Sequence, residues 1–258
     1  MMKDQWNRLL LWQKAAILCA ALGLLVWGSY CLYRMSQPQQ SEGRQWIETE
    51  AAKDPAEITG SLANRRLFEL RQAYDEGKVS YSALLPDYAM LGDSRAAALS
   101  EYQILTPDRD LAVIGTSVLD IPNRLEQIRG LQPANLIFTY GINDVENSIG
   151  ETPEGFAGLY EENIRQASQE APAASIFVTS ILDVSPQVVE GNPNFANLGA
   201  YNEQIKAMCE RNGWHFIDGS SLNEAIQDQL ESDGIHFTRD FCLEWVELIT
   251  DAVTEVNA

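Results

Sequence analysis

From Leu84 to the C-terminus, short apolar runs alternate with longer stretches whose apolar residues recur every three or four positions. The short runs, Tyr88–Gly92, Leu111–Gly115, Asn135–Tyr140, Ser175–Ser180 and Trp214–Asp218, read as strands. Between them, Arg95–Tyr102, Pro122–Gly130, Gly155–Glu170 and Gly199–Asn212 read as helices. A last helix near Arg239–Val256 carries Phe241, Trp245, Ile249 and Val256 largely on one face. Repetition of strand, helix and strand predicts an α/β domain, with a parallel sheet, right-handed crossovers and helices on both faces. Ligands in such sheets bind beyond the carboxyl ends of the strands. Ser94 lies just past the first predicted strand, Gly115 ends the second and Gly141–Asp144 follow the third, so three strand ends point at one crevice.

Ahead of this pattern lies a different one. Ala15–Tyr33 is an uncharged run of 19 residues, long enough as a helix to cross a hydrocarbon core of about 30 Å. Trp12, Trp27, Tyr30 and Tyr33 lie near its ends or outer turns, where aromatic rings suit a membrane interface. Lys3, Arg8 and Lys14 precede the run and only Arg34 follows closely, which keeps the N-terminus in the cytoplasm and puts the remaining chain outside. The exit, WGSYCLYR, offers a poor small-x-small cleavage site, and Tyr30 stands where a lipoprotein needs a small residue before the modified cysteine. The run therefore reads as a single-pass signal anchor in the cell membrane. Ser36–Ser61 is polar, without a sustained apolar period, and reads as a stalk. Leu62–Lys78 suits a helix with Leu62, Leu67, Leu70 and Tyr74 on its apolar face. The expected organisation is a cytoplasmic stub and anchor over 1–35, stalk and leading helix over 36–83, and a globular domain over 84–258.

Charge narrows the function classes. The chain has 18 basic and 37 acidic residues, a formal charge of −19. Four of the cations fall in the first 34 residues beside the single anion Asp4, so the outer domain is strongly acidic and a poor partner for nucleic acid. Two of the four cysteines lie in the apolar run. The others, Cys209 and Cys242, suit either a disulfide in an oxidising compartment or two separate core thiols. His215 and His236, the only histidines, are far apart and have no Cys/His cluster around them, so no metal site is expected.

The candidate chemistry starts at YAMLGDSRAAAL. Ser94 sits between a strand end and a helix mouth, where unpaired N–H groups and the helix dipole stabilise negative charge; Asp93 or Ser94 also suits a plain helix cap. His215, in GWHFID, reads as a packed or partly exposed strand residue. His236 lies in ESDGIHFT with Asp233 three residues earlier. This spacing lets a carboxylate fix one imidazole nitrogen while the other faces a serine, or makes a polar turn with Thr238 capping the next helix. In TYGINDVENS, Asn143 is placed to donate to a developing oxyanion, or to form an Asx turn with Asp144.

Taken in order, Gly-Asp-Ser, a later Gly115, Gly-x-Asn-Asp and a C-terminal Asp-x-x-His resemble the SGNH hydrolases, also called the GDSL esterase family, from about Leu84 onward. The resemblance implies a three-layer α/β/α sandwich, flavodoxin-like, with five parallel strands. It implies Ser94 as nucleophile, His236 as general base and acid, Asp233 as its orienting carboxylate, and an oxyanion hole from the Ser94 and Gly115 N–H groups and the Asn143 side chain. No metal or cofactor is implied. Arg95 departs from the smaller or apolar residue that many members carry after the serine, which bears on substrate class. GTSVL at Gly115 lacks the closing glycine of Gly-x-Ser-x-Gly, so the α/β-hydrolase pattern fails.

The expected activity is hydrolysis of small acyl esters, acetyl groups on cell-envelope glycans being the natural candidates outside a membrane. An O-acyltransferase with the same triad passes through the same acyl-enzyme, and a tethered binding module keeps the fold without catalysis. The loop Asp183–Gly199, rich in Pro, Asn and Gly, follows the fourth predicted strand and either borders the site or is a surface excursion.

Overall fold

The computed structural model describes residues 11–36, Thr49 and 55–257. The chain divides into two compact units, Met1–Glu57 and Ile58–Ala258. In the first, helix α1 spans Leu11–Ser36. Leu22, Leu24, Leu25 and Val26 point to different sides of it and all are exposed, which is the pattern of a helix with no aqueous face to spare. Its Leu11–Met35 stretch is long and apolar enough to cross a membrane. Most of the expected stalk lies outside the described residues.

Helix α2, Pro55–Asp75, starts earlier than its apolar spacing suggests and takes in the last part of the expected stalk. Proline is tolerated at a first helical turn because its missing N–H has no helical acceptor there. Leu62, expected on the apolar face, is exposed, whereas Leu67, Leu70 and Tyr74 pack on the core.

The sheet has four parallel strands, β1 (Tyr88–Gly92), β2 (Asn135–Thr139), β3 (Ser175–Thr179) and β4 (His215–Ile217), in that spatial order. Between them run α3 (Ser94–Glu101), α4 (Leu125–Leu131), α5 (Ile142–Glu146), α6 (Pro153–Glu170), α7 (Pro186–Gly191) and α8 (Leu198–Asn212). The short α9 (Asn223–Ile226) and the long α10 (Arg239–Asn257) complete the chain.

The fifth expected strand, Leu111–Gly115, does not form. Leu111 and Val113 donate to the Met90 and Gly92 carbonyls, yet only Asp110 closes a bridge, with Met90. The Asp110 carboxylate accepts from the Ala112 N–H, and Thr116 N–H turns back onto the Val113 carbonyl, local bonds that compete with a ladder. The segment nevertheless flanks the free edge of β1, with β2 on the other side. The chain thus runs outward one way after β1 and the other way from β2 on, which makes the carboxyl ends of β1 and β2 the topological switch point of a flavodoxin-like order.

Alternate strand residues face opposite cores. Ala89, Leu91, Leu136, Phe138 and Val178 join residues of α4, α6 and α8 on one face; Met90, Ile137 and Phe177 join those of α3 and α10 on the other. This is a three-layer α/β/α sandwich. Cys209 belongs to the first core and Cys242 to the second, so the sheet separates them. Both are free, with burial pushing each thiol up to about 12. His215 stacks on Phe177 at 4.8 Å between ring centres, a packed strand residue as its sequence context predicts.

Candidate active site

Parallel register aligns Gly92 with Thr139, so the residues after β1 and β2 emerge at one edge of the sheet. Asp93 is the N-cap of α3, accepting the Arg95 N–H at 3.0 Å. The cap is therefore filled by its neighbour, and Ser94 is the first helical residue with its hydroxyl directed elsewhere. An N–H at that helical position has no acceptor within the helix. The Asp93 carboxyl is buried; burial raises its pKa against the opposing effect of the Arg95 and Ile142 N–H groups.

Ser94 Oγ lies 2.8 Å from His236 Nε2, and His236 Nδ1 lies 2.6 Å from Asp233 Oδ2. The loop that achieves this is tightly tied. Glu231 N–H bonds the His236 carbonyl, Thr238 N–H bonds the Gln229 carbonyl, and Leu230 and Phe237 form an antiparallel bridge. At its tip Asp233 Oδ1 accepts the Ile235 and His236 N–H groups at 2.8 and 2.9 Å. Partial burial would raise the Asp233 pKa, but the His236 ring and these two N–H groups outweigh it and bring it down to about 2. The carboxylate thus stays charged and holds one imidazole nitrogen as an N–H donor, leaving the other to accept from Ser94. Thr238 also caps α10, accepting the Phe241 N–H, so the turn serves both purposes.

The opposite wall carries Gly115 and Asn143. Gly115 is exposed with φ +78°, a conformation that glycine adopts without a side-chain clash. Next to it, Thr116 Oγ1 bonds the Gly92 carbonyl at 3.1 Å, and the Thr116 carbonyl accepts Asn143 Nδ2 at 2.7 Å. Asn143 therefore braces the Gly115 loop instead of forming an Asx turn, and one of its two amide hydrogens remains for another acceptor. Asp144, fully buried, accepts the Val118 N–H at 3.0 Å, while its other oxygen has no partner among the described residues. Burial raises its carboxyl to about 7, with nearby Asp93 adding to the rise against the Val118 N–H. At the α5 mouth, Gly141 has φ +143°, and a side chain there would strike Ile181.

Two features escape sequence reasoning. Asp144, adjacent to Asn143, is a brace for the 3-10 turn that begins at Val118. Arg95 is buried, with 4% of its surface exposed, and donates to three main-chain carbonyls, those of Leu182, Asp183 and Ile235. The available signal was an arginine inside the apolar run RAAAL. The loop Asp183–Gly199 proves to be a border of the site: Ser185 N–H bonds the Gly234 carbonyl, and Asn194 Nδ2 bonds the Val145 carbonyl on α5. It therefore bridges the wall holding His236 and the wall holding Asn143. Val184, Val189, Phe195 and Leu198 line an open groove in it, with Asp183 and Glu190 at the polar positions.

No curated protein is significantly similar to the chain in sequence. Among solved structures, a GDSL-like lipase from Bacteroides thetaiotaomicron is 19% identical, covering 74% of this chain and 99% of its own, with a TM-score of 0.54. A protein described as an acylhydrolase from Bacteroides fragilis is 18% identical, covering 67% of this chain and 91% of its own, at 0.53. An acetylxylan esterase from Geobacillus stearothermophilus is 17% identical, over 64% of this chain and 93% of its own, at 0.48. The model of the GDSL-like Lipase/Acylhydrolase family matches residues 77–240, a span that runs from just before β1 through the Asp233–His236 loop. The chain belongs to the GDSL-like lipase/acylhydrolase family and is a serine hydrolase of esters.

Proposed function

We propose that the protein is a membrane-anchored, extracytoplasmic serine esterase that removes small acyl groups, acetyl above all, from cell-envelope glycans by a Ser94–His236–Asp233 triad. The observation that carries this reading is the pair of short bonds joining the three side chains, 2.8 Å and 2.6 Å. In the reaction, His236 Nε2 takes the Ser94 hydroxyl proton as Oγ attacks the ester carbonyl. Asp233 holds the imidazole and stabilises its cation. The resulting oxyanion would be held by the Ser94 and Gly115 N–H groups and the free hydrogen of Asn143 Nδ2. Collapse expels the alcohol, which receives its proton from His236. Water then repeats the sequence on the acyl-enzyme, releasing the acid and restoring Ser94.

The anchor and its orientation rest on the apolar helix α1 and on the three cations that precede its uncharged run. In this reading residues 1–35 are cytoplasmic stub and anchor, 36–83 stalk and leading helix, and 84–258 the catalytic domain. An extracytoplasmic address makes envelope glycans the accessible acyl esters.

The test is p-nitrophenyl acetate hydrolysis by the full chain in detergent, with Ser94→Ala purified in parallel. Turnover is expected to fall to background in the variant. Equal rates in both proteins would refute the triad. Wild-type turnover that shifts to acyl transfer when a glycan acceptor is added would assign the transferase chemistry to the same site.

A further inference from the structure

We propose that Arg95 is a positioning residue that sets the distance between nucleophile and base, by clamping the His236 loop to the helix that carries Ser94. The proposal rests on the triad reading given above. Two dipeptides meet here, Ser94–Arg95 and Ile235–His236, and they are joined twice. Ser94 Oγ meets His236 Nε2 at 2.8 Å, and Arg95 Nε donates to the Ile235 carbonyl at 2.9 Å. The second bond grips the peptide group that enters His236, so it acts directly on where the imidazole begins.

The other arms of the guanidinium fix the clamp to the sheet. Nη1 and Nη2 donate to the Leu182 and Asp183 carbonyls at 2.7 and 2.8 Å, on the chain leaving β3. The carbon of the guanidinium lies 4.3 Å from the centre of the Phe237 ring, one residue past His236, a favourable cation–π distance. Three separate chain segments therefore converge on one planar group: the start of α3, the exit of β3 and the catalytic loop.

A buried cation costs free energy unless charge and hydrogen bonds offset it. Burial lowers the Arg95 pKa to about 10, while Asp93, Asp183 and Asp233 oppose the drop through space. Its neighbours Ala96, Ala97 and Leu99 are buried and apolar, so an apolar side chain would satisfy packing on this face of α3. Packing alone does not call for a fork that reaches three carbonyls in different directions. Lysine keeps the charge but cannot reproduce the planar, divergent donors.

The experiment compares Arg95→Lys and Arg95→Met with wild type in the full chain in detergent. It measures kcat and KM for p-nitrophenyl acetate, thermal stability, and the downfield proton resonance of His236 Nδ1–H, which reports the bond to Asp233. Misplacing a reacting group by about 1 Å costs about 10²-fold in rate. Arg95→Lys is therefore expected to lose between about tenfold and 10²-fold in kcat, with KM within about twofold, and to broaden or lose the His236 resonance. Arg95→Met is expected to lose more. If Arg95→Met does not fold, Arg95→Lys decides alone. Wild-type kcat with an unchanged resonance in Arg95→Lys overturns the proposal, and so does a lower melting temperature with both retained, since that marks a structural prop. If wild type itself shows no turnover dependent on Ser94, the esterase reading fails, and the His236 resonance in Arg95→Lys still decides whether Arg95 positions the imidazole.

Discussion

The two walls beside Ser94 are fastened by opposite kinds of hydrogen-bonding group, donors on one and acceptors on the other. On the His236 side a buried cation, Arg95, gathers main-chain carbonyls. On the Asn143 side a buried carboxyl, Asp144, takes the Val118 N–H, as Asp93 takes the Arg95 N–H at the start of α3. Both devices stabilise irregular chain at a sheet edge, where backbone groups have lost their ladder partners and still need satisfaction. Their consequences differ. The His236 wall brings an imidazole already bonded to Asp233 within 2.8 Å of the Ser94 hydroxyl, the arrangement that the proposed relay requires. The Asn143 wall presents one amide hydrogen and a glycine loop, which in the proposed reaction meet the oxyanion formed from the ester. The buried ionisable groups near this site therefore shape its loops, whereas the side chains of His236 and Asp233, assigned to the chemistry, are exposed.

The largest expected effect comes from removing the relay. His236→Ala should lower kcat by about 10⁴-fold or more, and Ser94→Ala added to it should cost little further, because residues acting as a unit are not additive. Steady-state assay of the two single variants and the double variant checks this, and a multiplicative loss would show that the two residues act separately. On the other wall Asn143→Ala should cost about 10²-fold in kcat with KM nearly unchanged, the signature of a donor used mainly in the transition state. An equal rise in KM without loss of kcat would make Asn143 only a brace for Thr116.

The smallest effect is on stability, and it separates the walls by pH. The Asp144 carboxyl is raised to about 7 and that of Asp110 to about 6, chiefly by burial. Carboxyls raised in the folded state contribute stability that is present below their ordinary range and lost as pH rises through the folded value. Asp233, lowered to about 2, does the reverse: its contribution is full above the ordinary carboxylate range and disappears only as pH falls toward 2. The melting temperature should thus fall by a few degrees between pH 5 and pH 8. Asp144→Asn, which keeps an acceptor for the Val118 N–H, should flatten that slope. Calorimetry at the two pH values decides the matter, and an unchanged slope in the variant would exclude Asp144 as its source.

Much of the architecture was legible because burial on both faces writes itself as uninterrupted apolar runs. Four of the five expected strands form within a residue of their predicted ends. Leu111–Gly115 has the same apolar look, but it lies at the sheet edge, where Asp110 and Thr116 turn the chain back on itself, and Val113 and Ile114 end up exposed. Helix α2 extends beyond its apolar stripe because its first two turns carry none. The reading of Ser94 as cap or nucleophile could not be settled locally, since Asp93 and Ser94 are both good caps; the cap bond from Arg95 N–H to Asp93 leaves the serine hydroxyl to His236, 142 residues away.

By itself the sequence determined what depends on neighbours along the chain. That includes a strand-helix alternation, an apolar helix ahead of an acidic domain, a serine at a strand end, and an Asp-x-x-His spacing that allows a carboxylate to reach its own histidine. Tertiary structure decided what depends on separate segments meeting. It put Cys209 and Cys242 on opposite faces of the sheet, turned Asn143 toward Thr116, and made Arg95 the point where the start of α3, the exit of β3 and the His236 loop converge. The physical reason is range. Periodicity and turn chemistry act over a few residues, whereas the satisfaction of a buried guanidinium or carboxyl is set by whichever backbone groups the fold brings within about 3 Å of it.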